Sequence, residues 1–243
     1  MNDNSNISDN NGTVTGNAMR FKAIVFDMDG TLLNTLPDLT ALTNAVLAGR
    51  GYPTYSIEEI RGFIGDGIRA LMFRALPDSA SDAEKTAALE EWKRRYPEFG
   101  RKMTAPYEGI SQTLAELKAN GVLLGVLSNK FDAAVKELVE FYFPDTFAIA
   151  HGESPEYPRK PNPTGLLKML DVLGVSPSEA AYVGDSVGDM KVAHAAGTFA
   201  LGVSWGYQST DALKENGADL IIDEPCDILD LTGVRNNVSR ETF

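Results

Sequence analysis

The sequence predicts an α/β protein in which a doubly wound, mainly parallel sheet carries an inserted helical domain. Two observations predict this fold class. From residue 107 onward, short apolar runs alternate with turn residues and helical stretches, and strands that alternate with helices pair in parallel. Between residues 36 and 106, by contrast, apolar residues recur at spacings of three and four without a clear strand, which indicates helices.

The first strand is predicted at residues 21–26, "FKAIVF", because the run is rich in β-branched and aromatic residues. The segment "DMDGTL" follows directly and contains Asp27 and Asp29. Residues two apart on an extended chain share one face, so both carboxylates are able to point at one small site. The alternative is a turn without chemistry, since Asp and Gly are common turn residues.

Helices are predicted next, in the insertion. Residues 56–59, "SIEE", and residues 81–84, "SDAE", both match a capping box, in which an N-cap Ser is followed three residues later by Glu. Pro97 and Gly100 are predicted to mark the end of the insertion, and "TAPYEGI" from residue 104 the return to the sheet.

The later strands are predicted at five apolar runs, each followed by turn or polar residues. They are "GVLLGVLSN" (121–129), "TFAIAHG" (146–152), "AAYVGD" (180–185), "TFALGVSWG" (198–206) and "ADLIID" (218–223). In doubly wound sheets, ligands bind outside the carboxyl ends of the strands. The sequence therefore predicts a site at that edge.

Polar side chains lie at the ends of two of these strands and in a loop between them. Ser128 and Asn129, with a lysine after them, end one strand; Lys160 stands in "YPRKPNPTGLL"; Asp185 and Asp189 lie in "GDSVGDM". Each has a plainer alternative: a turn or N-cap for Ser128 and Asn129, a solvated surface charge for Lys160, and an N-cap for Asp185.

Taken together, these residues predict magnesium-assisted phosphoryl transfer. Asp27, Asp29 and Asp185 would converge at the strand ends, and two carboxylates about 5 Å apart repel by roughly 3 kcal/mol at an effective dielectric near 20. Such a cluster needs a cation or raised pKa values, and Mg²⁺ prefers carboxylate and phosphate oxygens. Lys160 and the Ser128 hydroxyl would supply a positive charge and a donor for a phosphoryl group.

Composition bounds the partners and the location. The net charge of −12, from 34 acidic and 22 basic residues, disfavours nucleic acid and anionic membranes. The single cysteine, Cys226, rules out an intrachain disulfide and suits a reducing cytosol. Residues 1–19 are predicted to be a disordered tail without a signal-peptide core. The sequence contains no run of 18 apolar residues, so no membrane span is predicted. We therefore expect a cytoplasmic protein.

Four motifs resemble those of the haloacid dehalogenase-like hydrolases, and within that family the phosphoglycolate phosphatase-like branch. They are "DMDGTL" (27–32), "SNK" (128–130), "KPNP" (160–163) and "YVGDSVGDMKVAHAAG" (182–197), in the family's order over roughly residues 21–225. The first and last motifs are specific to the family, whereas each of the other two would be weak evidence by itself. The resemblance implies a Rossmann-like core (20–35 and 105–243) and a helical cap (36–104).

The same resemblance implies roles for individual residues. Asp27 would be the nucleophile and Asp29 the acid/base, while Ser128, the backbone of Asn129 and Lys160 would hold the phosphate. Magnesium would be bound by Asp27, the carbonyl of Asp29 and Asp185, with Asp189 orienting Lys160 or a metal-bound water and Thr31 in a supporting position. An ionised carboxylate suits the first role because it needs no activating base.

Substrate identity is predicted from the cap. Residues 62–76, "GFIGDGIRALMFRAL", resemble the cap segment of phosphoglycolate phosphatases, which makes phosphoglycolate the leading candidate among small phosphorylated metabolites. Arg69, with Arg74 as second choice, would bind the carboxylate of such a substrate through two parallel hydrogen bonds. The alternative is that Arg69 is a solvated cap residue.

Other functions remain open at this point. A pyrophosphatase or a phosphosugar phosphatase fits the same motifs. A phosphomutase is less favoured, because a related sugar phosphomutase would be expected to have a histidine soon after the first motif, and no histidine occurs between residues 20 and 150. A catalytically silent binding protein is a further alternative. It would be expected if a catalytic carboxylate were missing, and none is. One departure from the family pattern is Asn34-Thr35 where many relatives have Asp-Ser, a change we expect activity to survive. The sequence gives no prediction of oligomeric state.

Overall fold

The structure, a computed structural model, describes residues 21–234. The described residues contain eight strands: β1 (Ala23–Phe26), β2 (Leu33–Asn34), β3 (Ala105–Pro106), β4 (Leu123–Phe131), β5 (Ile149–Glu153), β6 (Ala180–Gly184), β7 (Phe199–Val203) and β8 (Leu220–Ile222). Six of them form one sheet in the order β5-β4-β1-β6-β7-β8, with every neighbouring pair parallel. The predicted fold class is confirmed.

Ten helices lie within the described residues. They are α1 (Leu36–Gly49), α2 (Ile57–Arg61), α3 (Gly67–Ala75), α4 (Asp82–Phe99), α5 (Ile110–Ala119), α6 (Asp132–Tyr142), α7 (Thr164–Leu173), α8 (Val187–Ala196), α9 (Thr210–Glu215) and α10 (Asp227–Leu231). A short 3₁₀ helix covers Pro177–Glu179. From β4 onward strands and helices alternate, as the sequence predicts.

The sheet is buried on both faces, and β1 shows this most directly. Ile24 and Phe26 pack into the core that α5, α6 and α10 cover. Ala23 and Val25 point the other way and pack with α7, α8 and α9. Because successive side chains on a strand face opposite sides, a strand between two helical layers must be apolar throughout, which explains the unbroken "AIVF" run.

Helices α1 to α4 bury a core of their own around Trp92, which is fully buried and donates a hydrogen bond from Nε1 to the Thr43 hydroxyl (3.2 Å). Both predicted capping boxes are present, at the start of α2 and of α4. Of the residues predicted to mark the end of the insertion, Pro97 lies inside α4, which continues to Phe99, and Gly100 caps the helix.

A two-stranded antiparallel ribbon of β2 and β3 joins the helical unit to the sheet, and the sequence did not predict it. The Asp38 carboxylate, in the first turn of α1, accepts hydrogen bonds from the backbone N–H groups of Met103 and Thr104 and from the Thr104 hydroxyl. We propose that this crossing is the boundary between the predicted cap (36–104) and the core (20–35 and 105–243).

The predicted disordered tail at residues 1–19 lies outside the described residues, as do the last nine residues of the predicted core. Among the described helices, none combines the length and the apolar character needed to cross a membrane.

Candidate active site

The predicted site residues meet at the carboxyl edge of the sheet. Asp27 directly follows β1, Asp185 directly follows β6, and Ser128 and Asn129 lie near the end of β4. Lys160 lies in the loop between β5 and α7. Parallel neighbours end at the same edge, so the order β4-β1-β6 places these chain segments side by side.

Three buried carboxylates form the centre of the site. Ligand oxygens of Asp27, Asp185 and Asp189 all lie within 4.8 Å of one another. Burial, partly opposed by the Lys160 ammonium, raises the pKa of Asp27 to about 6. Burial and the two neighbouring carboxylates raise the pKa of Asp185 well above its ordinary range. The cluster is therefore short of positive charge.

Lys160 supplies one positive charge to this cluster. Its Nζ lies 2.6 Å from Asp189 Oδ1 and 2.9 Å from Asp27 Oδ1. Burial alone would lower the pKa of Lys160, but the carboxylates of Asp189 and Asp27 outweigh it and raise the pKa well above its ordinary value. Its backbone N–H donates to Asn129 Oδ1 (2.8 Å), which fixes the loop against β4.

The Asp185 carboxylate is held in a narrow cradle. Oδ1 accepts from the Thr31 hydroxyl (2.9 Å), and Oδ2 accepts from the Tyr207 backbone N–H (2.8 Å). A Cβ atom added to Gly30 would lie 2.3 Å from Asp185 Oδ2, and one added to Gly206 would lie 2.1 Å from Asp185 Cβ. Two glycines thus make room for this side chain, and the Thr31 hydroxyl holds its Oδ1.

Asp189 is committed to structure on one side and to Lys160 on the other. Its Oδ2 accepts from the backbone N–H and the hydroxyl of Ser186, which completes a capping box at the start of α8. Its Oδ1 faces Lys160. The N-cap of this helix is Ser186, so the alternative that Asp185 is merely an N-cap is wrong.

Asp29 lies apart from the carboxylate cluster in its hydrogen bonding. Its Oδ1 accepts from the Thr35 hydroxyl (2.7 Å) and from Lys130 Nζ (3.0 Å), and its Oδ2 lies 3.2 Å from the same ammonium. Asp27 and Asp29 are thus neighbours in sequence with different partners. Pairs of titratable groups in different environments are typical of sites that divide acid and base roles.

The residues present fit a divalent cation. Asp27 Oδ1 is buried and, although Lys160 is at ion-pair distance, it has no hydrogen-bond partner among the described residues. Hard oxygen donors of this kind suit Mg²⁺. The Asp29 carboxylate belongs to a different contact set, with Thr35 and Lys130.

A pocket lies between the cluster and the helical unit. Its core side includes Ser128, whose hydroxyl accepts from the Lys130 backbone N–H (3.3 Å), and Asn129, which donates to the carbonyl of Gly65 (3.0 Å) in the helical unit. The opposite side is mostly apolar, with Leu39, Ile64, Ile68 and Leu71.

Lys160, Asp189 and Thr31 lie in or against the carboxylate cluster without lining this pocket. Arg69 is the predicted site residue that belongs to neither the cluster nor the pocket wall. It is exposed on α3, its guanidinium lies 4.3 Å from the Phe73 ring centroid, and the pocket wall does not include it. Arg74 instead pairs with Asp66 and donates to the Phe63 carbonyl (3.0 Å). For Arg69 to bind substrate, its side chain would have to leave the Phe73 ring.

The sequence reasoning did not assign three residues that line the pocket: Lys130, Tyr207 and Gln208. Lys130 stands in the "SNK" motif, and the other two follow β7 at its carboxyl end, so the rule that ligands bind outside strand ends points to all three. The Tyr207 hydroxyl accepts from the backbone N–H groups of Thr35 (2.9 Å) and Leu36 (3.1 Å), at the start of α1.

Comparisons with known proteins agree with this geometry. The model of the family described as haloacid dehalogenase-like hydrolase matches residues 24–203. The N-acetylmuramic acid 6-phosphate phosphatase of Pseudomonas aeruginosa is 33% identical over 88% of this chain and 95% of its own length. Phosphoglycolate phosphatase 1 of the same organism is 35% identical over 86% of this chain and 78% of its own length.

A solved structure shares the fold. A protein from Lactobacillus delbrueckii subsp. bulgaricus superposes with a TM-score of 0.83 and 31% identity, over 88% of this chain and 99% of its own. With the matched family, the named phosphatase relatives and the buried acidic cluster, the predicted resemblance is confirmed. This chain belongs to the haloacid dehalogenase-like hydrolase family, in its phosphoglycolate phosphatase-like branch, and is a phosphoric monoester hydrolase.

Proposed function

We propose that the protein is a Mg²⁺-dependent phosphatase that hydrolyses a small phosphorylated metabolite through an aspartyl-phosphate on Asp27. The observation that carries the proposal is that two nearby carboxylates have different partners. Asp27 lies with Lys160 in the buried cluster, whereas Asp29 is held by Thr35 and Lys130 at the wall of the same pocket.

In the first half of the reaction, an oxygen of Asp27 attacks phosphorus and the bond from phosphorus to the ester oxygen breaks. The departing oxygen takes the proton of the Asp29 carboxyl group and leaves as an alcohol. Lys160 and the hydroxyl of Ser128 stabilise the phosphoryl charge in this step. Two observations support these roles: Lys160 Nζ lies 2.9 Å from Asp27 Oδ1, and Ser128 is buried in the lining of the same pocket as Asp27.

In the second half, the ionised Asp29 takes a proton from water, and the water oxygen attacks phosphorus. The bond between Asp27 and phosphorus breaks, which releases inorganic phosphate, restores the Asp27 carboxylate and leaves Asp29 protonated again. The net reaction is a phosphate ester plus water to an alcohol plus phosphate. General acid–base catalysis of this kind contributes typically about 10²- to 10⁴-fold in rate.

Magnesium would be held by Asp27, the Asp29 carbonyl and Asp185, and when bound it supplies positive charge that polarises the phosphoryl oxygens. The structure supports this ligand set through the buried carboxylates of Asp27 and Asp185 and the cradle around Asp185. Asp189 would keep Lys160 in place.

Phosphoglycolate is the substrate we favour, because several relatives carry the name phosphoglycolate phosphatase, two of them at 35% identity. A phosphosugar is the second candidate. It is favoured by the relative named N-acetylmuramic acid 6-phosphate phosphatase, which matches along 95% of its length. The mostly apolar cap side of the pocket also offers no arginine to a substrate carboxylate.

The test is phosphate release from both esters in the presence of Mg²⁺, compared by kcat/KM, with Asp27→Asn as the inactive reference. We expect phosphoglycolate to give the higher value. The phosphosugar giving the higher value would select the second candidate, and pyrophosphate exceeding both would overturn the assignment.

Arg69→Ala belongs to the same experiment because it tests the predicted role of that residue. If Arg69 reaches the substrate, the variant should lose about ten- to a hundredfold in kcat/KM on phosphoglycolate and little on a neutral aryl phosphate. Equal values for variant and wild type on both esters would assign Arg69 to the exposed contact with Phe73. In that case selection would lie with other cap residues.

A further inference from the structure

Lys130 is a buried ammonium to which the proposed reaction gives no role. Its side chain is 2% exposed, and Nζ lies 3.0 Å from Asp29 Oδ1 and 3.2 Å from Oδ2. The ring of Tyr96, from α4 of the helical unit, lies on another side, with its centroid 5.3 Å from Nζ. The ammonium is therefore enclosed between a core carboxylate and an aromatic ring of the cap.

The two oxygens of Asp29 are held unequally. Oδ1 receives two donors, the Thr35 hydroxyl at 2.7 Å and Lys130 at 3.0 Å, while the contact of Oδ2 with Lys130 is longer. An oxygen committed to two donors has little freedom to exchange a proton with a ligand, since its lone pairs are used. Oδ2 is the oxygen left to act toward the pocket, which Asp29 lines.

We propose that Lys130 is a positioning residue for proton transfer: with Thr35 it anchors Oδ1 of Asp29 and so presents Oδ2 to the leaving group and then to water. The inference rests on the proposed function, in which Asp29 is the acid/base. Without the ammonium, the carboxyl group has one anchor and is free to rotate. Proton transfer would then be slowed, while attack by Asp27 would remain possible.

Burial and charge agree with this role. Burial alone would lower the pKa of Lys130, but the Asp29 carboxylate outweighs it and raises the pKa above its ordinary value. Lys130 is thus a permanent cation at working pH. It serves as a fixed anchor and not as a proton carrier.

The test compares two esters in wild type, Lys130→Met and Asp29→Asn. Dinitrophenyl phosphate has a leaving group that departs without a proton, whereas glycerol phosphate releases an alkoxide that needs one. Because kcat/KM covers only the steps up to departure of the leaving group, it isolates the first half of the reaction. We expect Lys130→Met to lower kcat/KM about 100-fold for glycerol phosphate and by less than about threefold for dinitrophenyl phosphate.

The same variant should also lower kcat on dinitrophenyl phosphate, because water attack on the phosphorylated enzyme also needs Asp29. Lys168→Met is the matched control. That lysine also lies over a tyrosine ring, with Nζ 5.8 Å from the Tyr157 centroid, but it is exposed and donates to the Glu156 carbonyl. We expect the control to keep all four constants.

The outcomes separate the two proposals. Suppose that Asp29→Asn shows the selective loss in kcat/KM, while Lys130→Met lowers kcat/KM equally on both esters or on neither. The positioning role is then overturned while the proposed function stands. Phosphoglycolate serves as a third ester. If Lys130→Met lowers kcat/KM on phosphoglycolate alone and spares glycerol phosphate, the positioning role is also overturned and Lys130 is a substrate ligand. If Asp29→Asn itself shows no selectivity, the proposed acid/base chemistry fails and the inference fails with it.

Discussion

At the scale of single residues, the site shows how two aspartates two positions apart are given different environments. Asp27 is buried beside Lys160 and other carboxylates, and its pKa rises to about 6. Asp29 takes its donors from Thr35 and Lys130. Local sequence places both at the end of β1, but only the tertiary structure decides which partners each receives.

The first prediction concerns Asp27. Asp27→Asn should lower kcat by about a thousandfold or more, since an amide does not form the acyl phosphate, while circular dichroism stays that of the wild type because the two side chains are nearly equal in shape. Asp211→Asn, an exposed change on α9, should keep full activity. A rate within tenfold of wild type for Asp27→Asn would remove it as the nucleophile.

The second prediction tests the cradle around Asp185 without touching a ligand. A Cβ at Gly206 would lie 2.1 Å from Asp185 Cβ, so Gly206→Ala should displace the carboxylate and raise the Mg²⁺ concentration for half-maximal activity about tenfold or more. Gly188→Ala is the control, because its Cβ would meet its nearest atom at 3.5 Å, an ordinary contact. An unchanged Mg²⁺ requirement in Gly206→Ala would argue against Asp185 as a ligand.

At the scale of elements, the outcome of each prediction from sequence depended on how local its signal is. The two capping boxes of the cap are complete within four residues, and the structure has both. The ribbon of β2 and β3 was missed because it pairs only Leu33 with Pro106 and Asn34 with Ala105, across the whole insertion. Two-residue strands leave no alternation to detect.

Arg69 shows a second limit at this scale. Helix α3 buries Leu71 and Met72. A helix nevertheless has several exposed faces, and sequence spacing does not tell which of them meets a pocket. The Arg69 guanidinium lies over Phe73, four residues further along the same helix. The core motifs were easier, because strand ends in a parallel sheet share one edge.

The third prediction belongs to the crossing between cap and core. The buried Asp38 carboxylate accepts from Met103 and Thr104, so Asp38→Ala should lower the free energy of unfolding by about 2 to 3 kcal/mol, because two backbone N–H groups lose a charged acceptor. Urea denaturation measures this change. Asp82→Ala, exposed in the first turn of α4, should cost less than about 1 kcal/mol, and equal losses would contradict the role of Asp38.

At the scale of the whole molecule, the chain brings many like charges together at one point. With a net charge of −12 and three buried carboxylates within 4.8 Å of one another, the folded state carries a repulsion that Lys160 offsets only in part. The sheet core and the cap core must hold this arrangement in place. A Mg²⁺ ion bound at these carboxylates would therefore affect both the stability of the fold and catalysis.

The last prediction follows from that link: Mg²⁺ should stabilise the whole fold. A ligand at one hundred times its dissociation constant stabilises the native state by about 2.7 kcal/mol, which for a chain of this size is a rise in Tm of roughly 5 to 10 °C. Asp185→Ala should lose most of this shift, because it removes a proposed ligand. EDTA should reverse the shift in wild type and stop turnover.

The measurement is thermal unfolding with and without Mg²⁺, with NaCl at equal ionic strength as the control for screening. Gly188→Ala serves as the matched variant and should keep the full rise in Tm. A rise of the same size in Asp185→Ala, or in NaCl alone, would contradict specific binding at the cluster. The charge at the strand ends would then have to be balanced by Lys160 and raised pKa values without a metal.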